Sequence, residues 1–81
     1  MELLEITRGH VLIKDGDRRI VCYGEGLLRK YGALDYVLYR DDVRFWESTG
    51  AGARLEADHH AQVLAFVQAE FLARGMMFEL E

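Results

Sequence analysis

The chain has no proline, a single cysteine and a single tryptophan in 81 residues. One cysteine, Cys22, excludes an intrachain disulfide, and a lone thiol in a strand-like segment reads as a small buried apolar side chain. No apolar run approaches the roughly 20 residues that a membrane-spanning helix needs. The opening MELLEITRGH places acidic residues where a secretory leader needs a basic segment, and it lacks a long apolar stretch. The chain therefore reads as cytoplasmic. Repeats and low-complexity stretches are also missing, which leaves one domain over residues 1–81. Gly24-Glu25-Gly26 and Gly50-Ala51-Gly52 have neither the spacing of a dinucleotide fingerprint nor the lysine of a phosphate-binding loop, so they read as turns and hinges.

Apolar residues make up 51% of the chain, enough to build a core and to argue against disorder. At this length the core is near the lower limit for self-sufficiency, so a partner or a second copy would add stability. A net charge of −4 argues against binding nucleic acid and favours a basic partner.

Residues 3–47 carry strand-like alternation. Leu4 and Ile6 alternate with Glu5 and Thr7 up to Arg8-Gly9, and a two-residue loop there pairs Thr7 with His10, Ile6 with Val11 and Leu4 with Ile13. A second strand, His10 to Lys14, runs into Asp15-Gly16-Asp17-Arg18. A four-residue loop at that point sets Ile13 opposite Ile20, Leu12 opposite Val21, Val11 opposite Cys22 and His10 opposite Tyr23. The pattern breaks over residues 24–35, where Glu25 to Tyr31 reads as a short helical turn ending at Gly32, or as an ordered loop. It returns at Tyr36 to Tyr39. A tight Asp41-Asp42 turn then leads to Val43–Trp46, pairing Leu38 with Phe45, Val37 with Trp46 and Tyr39 with Arg44. Residues 48–54, STGAGAR, read as a flexible loop.

From Glu56 to Arg74 the period becomes helical, with Val63, Leu64, Val67 and Phe71 on one stripe and Phe66 beside it. Arg74 complements the helix dipole, Gly75 ends the helix, and Met76 to Leu80 alternates as a last strand. The fold class is α+β: an antiparallel or mixed sheet, one main helix in the C-terminal half and a final C-terminal strand.

Catalytic and metal readings are poorly supported. His59 and His60 are adjacent on a helix and point about 100° apart, so they do not converge on a metal as an i, i+4 pair would. Asp41-Asp42 could form a carboxylate dyad, but an exposed turn offers no dry cleft. No Ser, Cys or Lys has a base and an orienting group nearby, and His10 stands alone on its strand. The chain reads as a non-enzyme without cofactor or metal.

The better lead is the sheet face turned away from the helix. With Leu38 and Phe45 against the helix, Val37, Tyr39, Arg44 and Trp46 share the other face, along with Leu12, Val21 and the His10/Tyr23 pair. Trp, Tyr and Arg are the residues enriched at binding hot spots, and Tyr39 could stack with Arg44. This reading makes Trp46, Tyr39 and Arg44 the contact centre, with Asp41, Asp42 and Glu47 as an acidic rim. Alternatively, residues 24–35, with Leu27, Leu28 and Tyr31, fold over this face and complete a second small core.

The segments ITRGHVLIKDG, the Gly24-Glu25 step, YRDDVRFWE and the C-terminal helix followed by FELE together resemble the small immunity proteins of bacterial polymorphic-toxin systems. They span most of the chain in order. The resemblance implies a protein that neutralises a cognate toxin by binding it inside the producing cell. An acidic inhibitor would suit a basic toxin domain. One rival reading is a homodimeric structural or regulatory domain that pairs through the open face. Another is a single-strand nucleic-acid platform of Tyr39 and Trp46 interleaved with Arg40 and Arg44, which the acidic balance opposes.

Overall fold

The computed structural model describes residues 1–27, 35–47 and 50–81. Its elements are β1 (Glu2–Ile6), β2 (His10–Asp15), β3 (Arg18–Gly26), β4 (Tyr36–Glu47), β5 (Gly50–Arg54), α1 (Ala57–Ala73) and β6 (Phe78–Leu80). Strands β1 to β5 form an antiparallel meander in chain order, and β6 joins β4 in parallel. The fold is α+β with a mixed sheet. No described helix is long and apolar enough to cross a membrane.

The first hairpins follow from alternation and turn chemistry. Thr7 closes the first turn: its hydroxyl accepts from the amides of Gly9 and His10 at 3.3 and 3.1 Å. Ile6 pairs with Val11 as expected, but an irregularity between Leu3 and Glu5 puts Leu3, not Leu4, opposite Ile13. Leu4 is left exposed at 39%. The β2–β3 register matches the expected one at Ile13–Ile20, Leu12–Val21, Val11–Cys22 and His10–Tyr23. The ladder continues to Asp15–Arg18, so the loop is the two residues Gly16-Asp17 rather than four. Gly16 takes φ +62°, the positive value that a tight hairpin turn demands at its first central position.

The Asp41-Asp42 hairpin does not form. Residues 36–47 are one continuous twelve-residue strand, and both halves pair with β3. A two-residue hairpin turn needs positive φ, which two aspartates adopt at a cost and with mutual repulsion. β3 is nine residues long and accepts both halves of β4 instead. Between the Cys22–Val43 and Gly24–Leu38 pairs, one residue of β3 spans four of β4, Tyr39 to Asp42. On its other edge β4 takes β6 along Tyr36–Leu38 and β5 along Arg44–Glu47. The expected loop over 48–54 is thus a strand from Gly50 onward, because that edge of β4 would otherwise leave its amides and carbonyls unpaired. Glu25 and Gly26 belong to β3 and not to a helical turn; that turn from residue 28 up to Gly32, and the cover of the far sheet face by Leu28 and Tyr31, lie outside the described residues, as do residues 48–49.

One face of the sheet packs on α1. Val63, Val67 and Phe71 are fully buried against Val11, Ile13, Ile20, Cys22, Tyr36, Leu38 and Val43, with Leu64, Phe66, Phe78 and Leu80 at the margin. Each fully buried helix side chain contributes roughly 1.5–3 kcal/mol. Phe71 meets Tyr36 edge-on at 5.3 Å between centroids and Phe78 at 5.4 Å, joining helix, β4 and β6. The Tyr36 ring also lies over Gly24, and its hydroxyl donates to the Thr7 carbonyl at 3.0 Å. The helix ends as its sequence predicts. Gly75, at φ +69°, donates to the Leu72 carbonyl at 3.0 Å, and Met76 donates to that of Phe71 at 2.9 Å. These two bonds satisfy carbonyls that would otherwise be orphaned.

A Cβ at Gly24 would press on the Val37 carbonyl and come 2.6 Å from the Tyr36 ring, both fixed by the sheet. Gly24→Ala is expected to cost more than about 2 kcal/mol in urea unfolding. An unchanged midpoint would mean that Tyr36 does not lie over this glycine. Burial raises the Cys22 thiol from near 9.0 to about 12. Burial, then Cys22 and Tyr39, raise the Tyr36 phenol from near 10.0 to about 12. The unfolded groups ionise before the folded ones, so stability should fall as pH rises from about 9 towards about 12. Urea midpoints across that range test this, and Cys22→Ala should flatten the first part of the decline.

Candidate partner-binding face

The face away from α1 is built by strand alternation. On β2 and β3 the residues between core positions are His10, Leu12, Val21 and Tyr23. The β3–β4 ladder sets Val21 opposite Arg44 and Glu25 opposite Val37, which brings the first hairpin and β4 onto one surface. Val21 and Val37 are buried although neither belongs to the helix-side cluster, so this face has a small apolar floor of its own. Above that floor stand Trp46 and Tyr39, exposed at 38% and 37%.

Trp46, Tyr39 and Arg44 do share this face, but by a different route from a hairpin. Leu38 and Val43 are an odd number apart, so a regular strand would send them to opposite faces. The extra residues from Tyr39 to Asp42 reverse the alternation, and both face the helix. Trp46 lies near the C-terminal end of β4, and Tyr39 at the bulge nearer its middle. The Trp46 ring leans across the sheet to within 5.9 Å of the His10 ring, and His10 bonds Glu5 at 3.1 Å. The expected stack of Tyr39 on Arg44 is replaced by other contacts. The Arg44 guanidinium bonds Asp42 at 3.2 Å, and the Tyr39 hydroxyl donates to Glu25 at 3.4 Å. Partial shielding from water, then the Glu25 carboxylate and Glu81, push the Tyr39 phenol up. Asp41 is exposed in the irregular stretch beside Asp42. Glu47 follows Trp46 in a regular ladder and so lies on the helix side, where its carboxylate covers Gly52.

The histidines are engaged elsewhere. His59 bonds Asp15 at 2.7 Å, tying the helix start to the β2–β3 turn, and lies 6.0 Å from the Phe45 ring. Arg18 covers the same Phe45 ring at 3.8 Å, the cation–π contact of the described residues. His60 bonds the Arg40 carbonyl. Among the described residues no group of three or more His, Cys, Asp and Glu is placed to hold a metal ion.

The sequence pattern places the His10/Tyr23 pair on this face, and the structure adds the ring contact of His10 with Trp46. The signal was its register opposite Tyr23, but the strand order needed to carry it to Trp46 is set by the β3–β4 pairing. A family model described as Immunity protein 74 matches residues 3–81. No curated protein and no solved structure matches the chain.

Proposed function

The chain belongs to the Immunity protein 74 family, and from that membership we propose that it neutralises a toxin by binding it directly, inside the cell that makes it. The reading is non-catalytic: a complementary surface suffices, and no reacting group is required. The observation that carries the assignment of the surface is the second face of the sheet, which no described helix covers, with a buried apolar floor and an exposed tryptophan. Exposed Trp and Arg beside a desolvated floor are the usual ingredients of a binding hot spot. We place the contact centre at Trp46 and Arg44, with Tyr39 engaging at the far end and Asp41 and Asp42 between them. Glu47 would contribute only to a partner that wraps the β4–β5 edge.

A net charge of −4 favours encounter with a basic toxin. Much of that charge lies away from Trp46: Glu56 and Asp58 at the helix start, and Glu25 and Glu81 around Tyr39. A basic toxin would therefore be steered mainly towards those surfaces.

The test is capture of the partner on tagged chain from nuclease-treated lysate of the native cell, followed by growth assays. The captured protein expressed alone should stop growth, and co-expression of the chain should restore it. Trp46→Ala should stay folded and weaken binding to that protein by more than about 2 kcal/mol, read by calorimetry. A captured protein that is harmless would contradict the toxin reading. An unfolded Trp46→Ala chain would make Trp46 a core residue.

A further inference from the structure

We infer that the Trp46 end of the open face binds a carboxylate-rich segment of the protein partner; this rests on the toxin-binding reading and adds the chemistry of the contact. The sheet register gathers four cations at this end, one from each of four consecutive strands. Lys14 on β2 stands opposite Arg19 on β3, and Arg44 on β4 stands opposite Arg54 on β5. Cross-strand partners project to the same side, so all four share the face of Trp46.

Two like-charged pairs directly opposed in one sheet are destabilising, and internal carboxylates do little to offset them. Arg44 is paired with Asp42 at 3.2 Å. Lys14, Arg19 and Arg54 are exposed, and among the described residues none of them has a carboxylate within ion-pair distance. Glu2 stands opposite Lys14 on β1 without closing to an ion pair. Beside Trp46, a shallow depression of about 450 Å³ is lined by Asp17, Arg18, Arg19 and Trp46. A folded chain that keeps unneutralised cations around its one tryptophan is suited to a ligand that supplies the anions. Arginine pairs with carboxylates through two parallel bonds, and the indole gives an apolar anchor between them.

The other end of the face decides against a nucleic acid. Glu25 bonds Tyr39, Glu79 pairs opposite Val37, and Glu81 is close enough to act on the Tyr39 phenol. A phosphate backbone following the strands would run from the cations into these carboxylates. A second copy is also disfavoured, since Val21 and Val37 are already buried and like-charged Lys14, Arg19, Arg44 and Arg54 would meet their own copies across a two-fold contact at this end. Little contiguous apolar area remains for the core of a dimer interface.

Trp46 is the chain's only tryptophan, so its fluorescence reports the site directly. The intact chain is titrated with a short glutamate-rich peptide, its lysine-rich counterpart and a short oligouridine. The glutamate peptide should perturb Trp46 emission, with affinity falling severalfold between about 0.05 and about 0.2 M salt. Lys14→Glu with Arg54→Glu should weaken it at least about tenfold. In the free chain, Lys14→Gln and Arg54→Gln should each raise Tm, by about 2–6 °C, as the opposed charges are relieved. Preference for the lysine peptide or the oligouridine would overturn the inference, as would unchanged binding by the charge-reversed chain. So would a dimer in sedimentation that the reversal abolishes, or a lowered Tm in both glutamine variants. These measurements do not use the toxin. A charge-reversed chain that still protects growth would remove this inference and leave neutralisation standing, whereas a harmless captured protein would do the opposite.

Discussion

The three extra residues of β4 between Leu38 and Val43 are the constraint on which the two faces of this protein depend. A twelve-residue strand without that irregularity would turn either Tyr36 and Leu38 or Val43 and Phe45 away from α1. With it, both halves contribute to the helix-side core, and Trp46 and Tyr39 are both left on the opposite surface. β4 has neighbours on both edges along both halves, β3 on one side and β6 then β5 on the other. Stability and the presentation of the proposed binding face thus meet in one element.

The helix side is a closed unit. Tyr36 spans it, with its ring over Gly24, its edge on Phe71 and its hydroxyl on the Thr7 carbonyl. The contacts of one side chain therefore join the first turn, β3, β4 and the helix. The open side is built on a different balance: a narrow floor of Val21 and Val37, the aromatic rings of Trp46 and Tyr39 exposed above it, cations around Trp46 and carboxylates around Tyr39. A purely structural sheet would shed such opposed cations, and their retention accords with the proposed binding role.

Much of this was legible in the chain. Alternation located every strand up to Tyr23, the helical stripe identified Val63, Val67 and Phe71, and Gly75 marked the helix end. The family resemblance read from four segments agrees with the family match over residues 3–81. What alternation could not supply was the bulge. Asp41-Asp42 looks like a turn because acidic pairs are common in turns, and only the length of β3 shows that the strand continues. The β5 strand was hidden for a related reason. Gly50 to Ala53 have little strand propensity, and they pair because the β4 edge needs partners. Within the candidate site, the shared face of Trp46 and Arg44 was readable. The placing of Tyr39 at a bulge, the His10–Trp46 contact and the helix-side position of Glu47 were not, because each depends on register across strands distant in sequence.

The central claim is that the toxin is held on the sheet face opposite α1. Hydroxyl-radical footprinting of the chain, free and bound to its captured toxin, tests it most directly. Trp46 and Tyr39 are exposed on the open face, and Leu72, 69% exposed, reports the helix. The account requires Trp46 and Tyr39 to become protected while Leu72 stays reactive. Protection of Leu72 with Trp46 and Tyr39 still open would place the toxin on the helix side and contradict it.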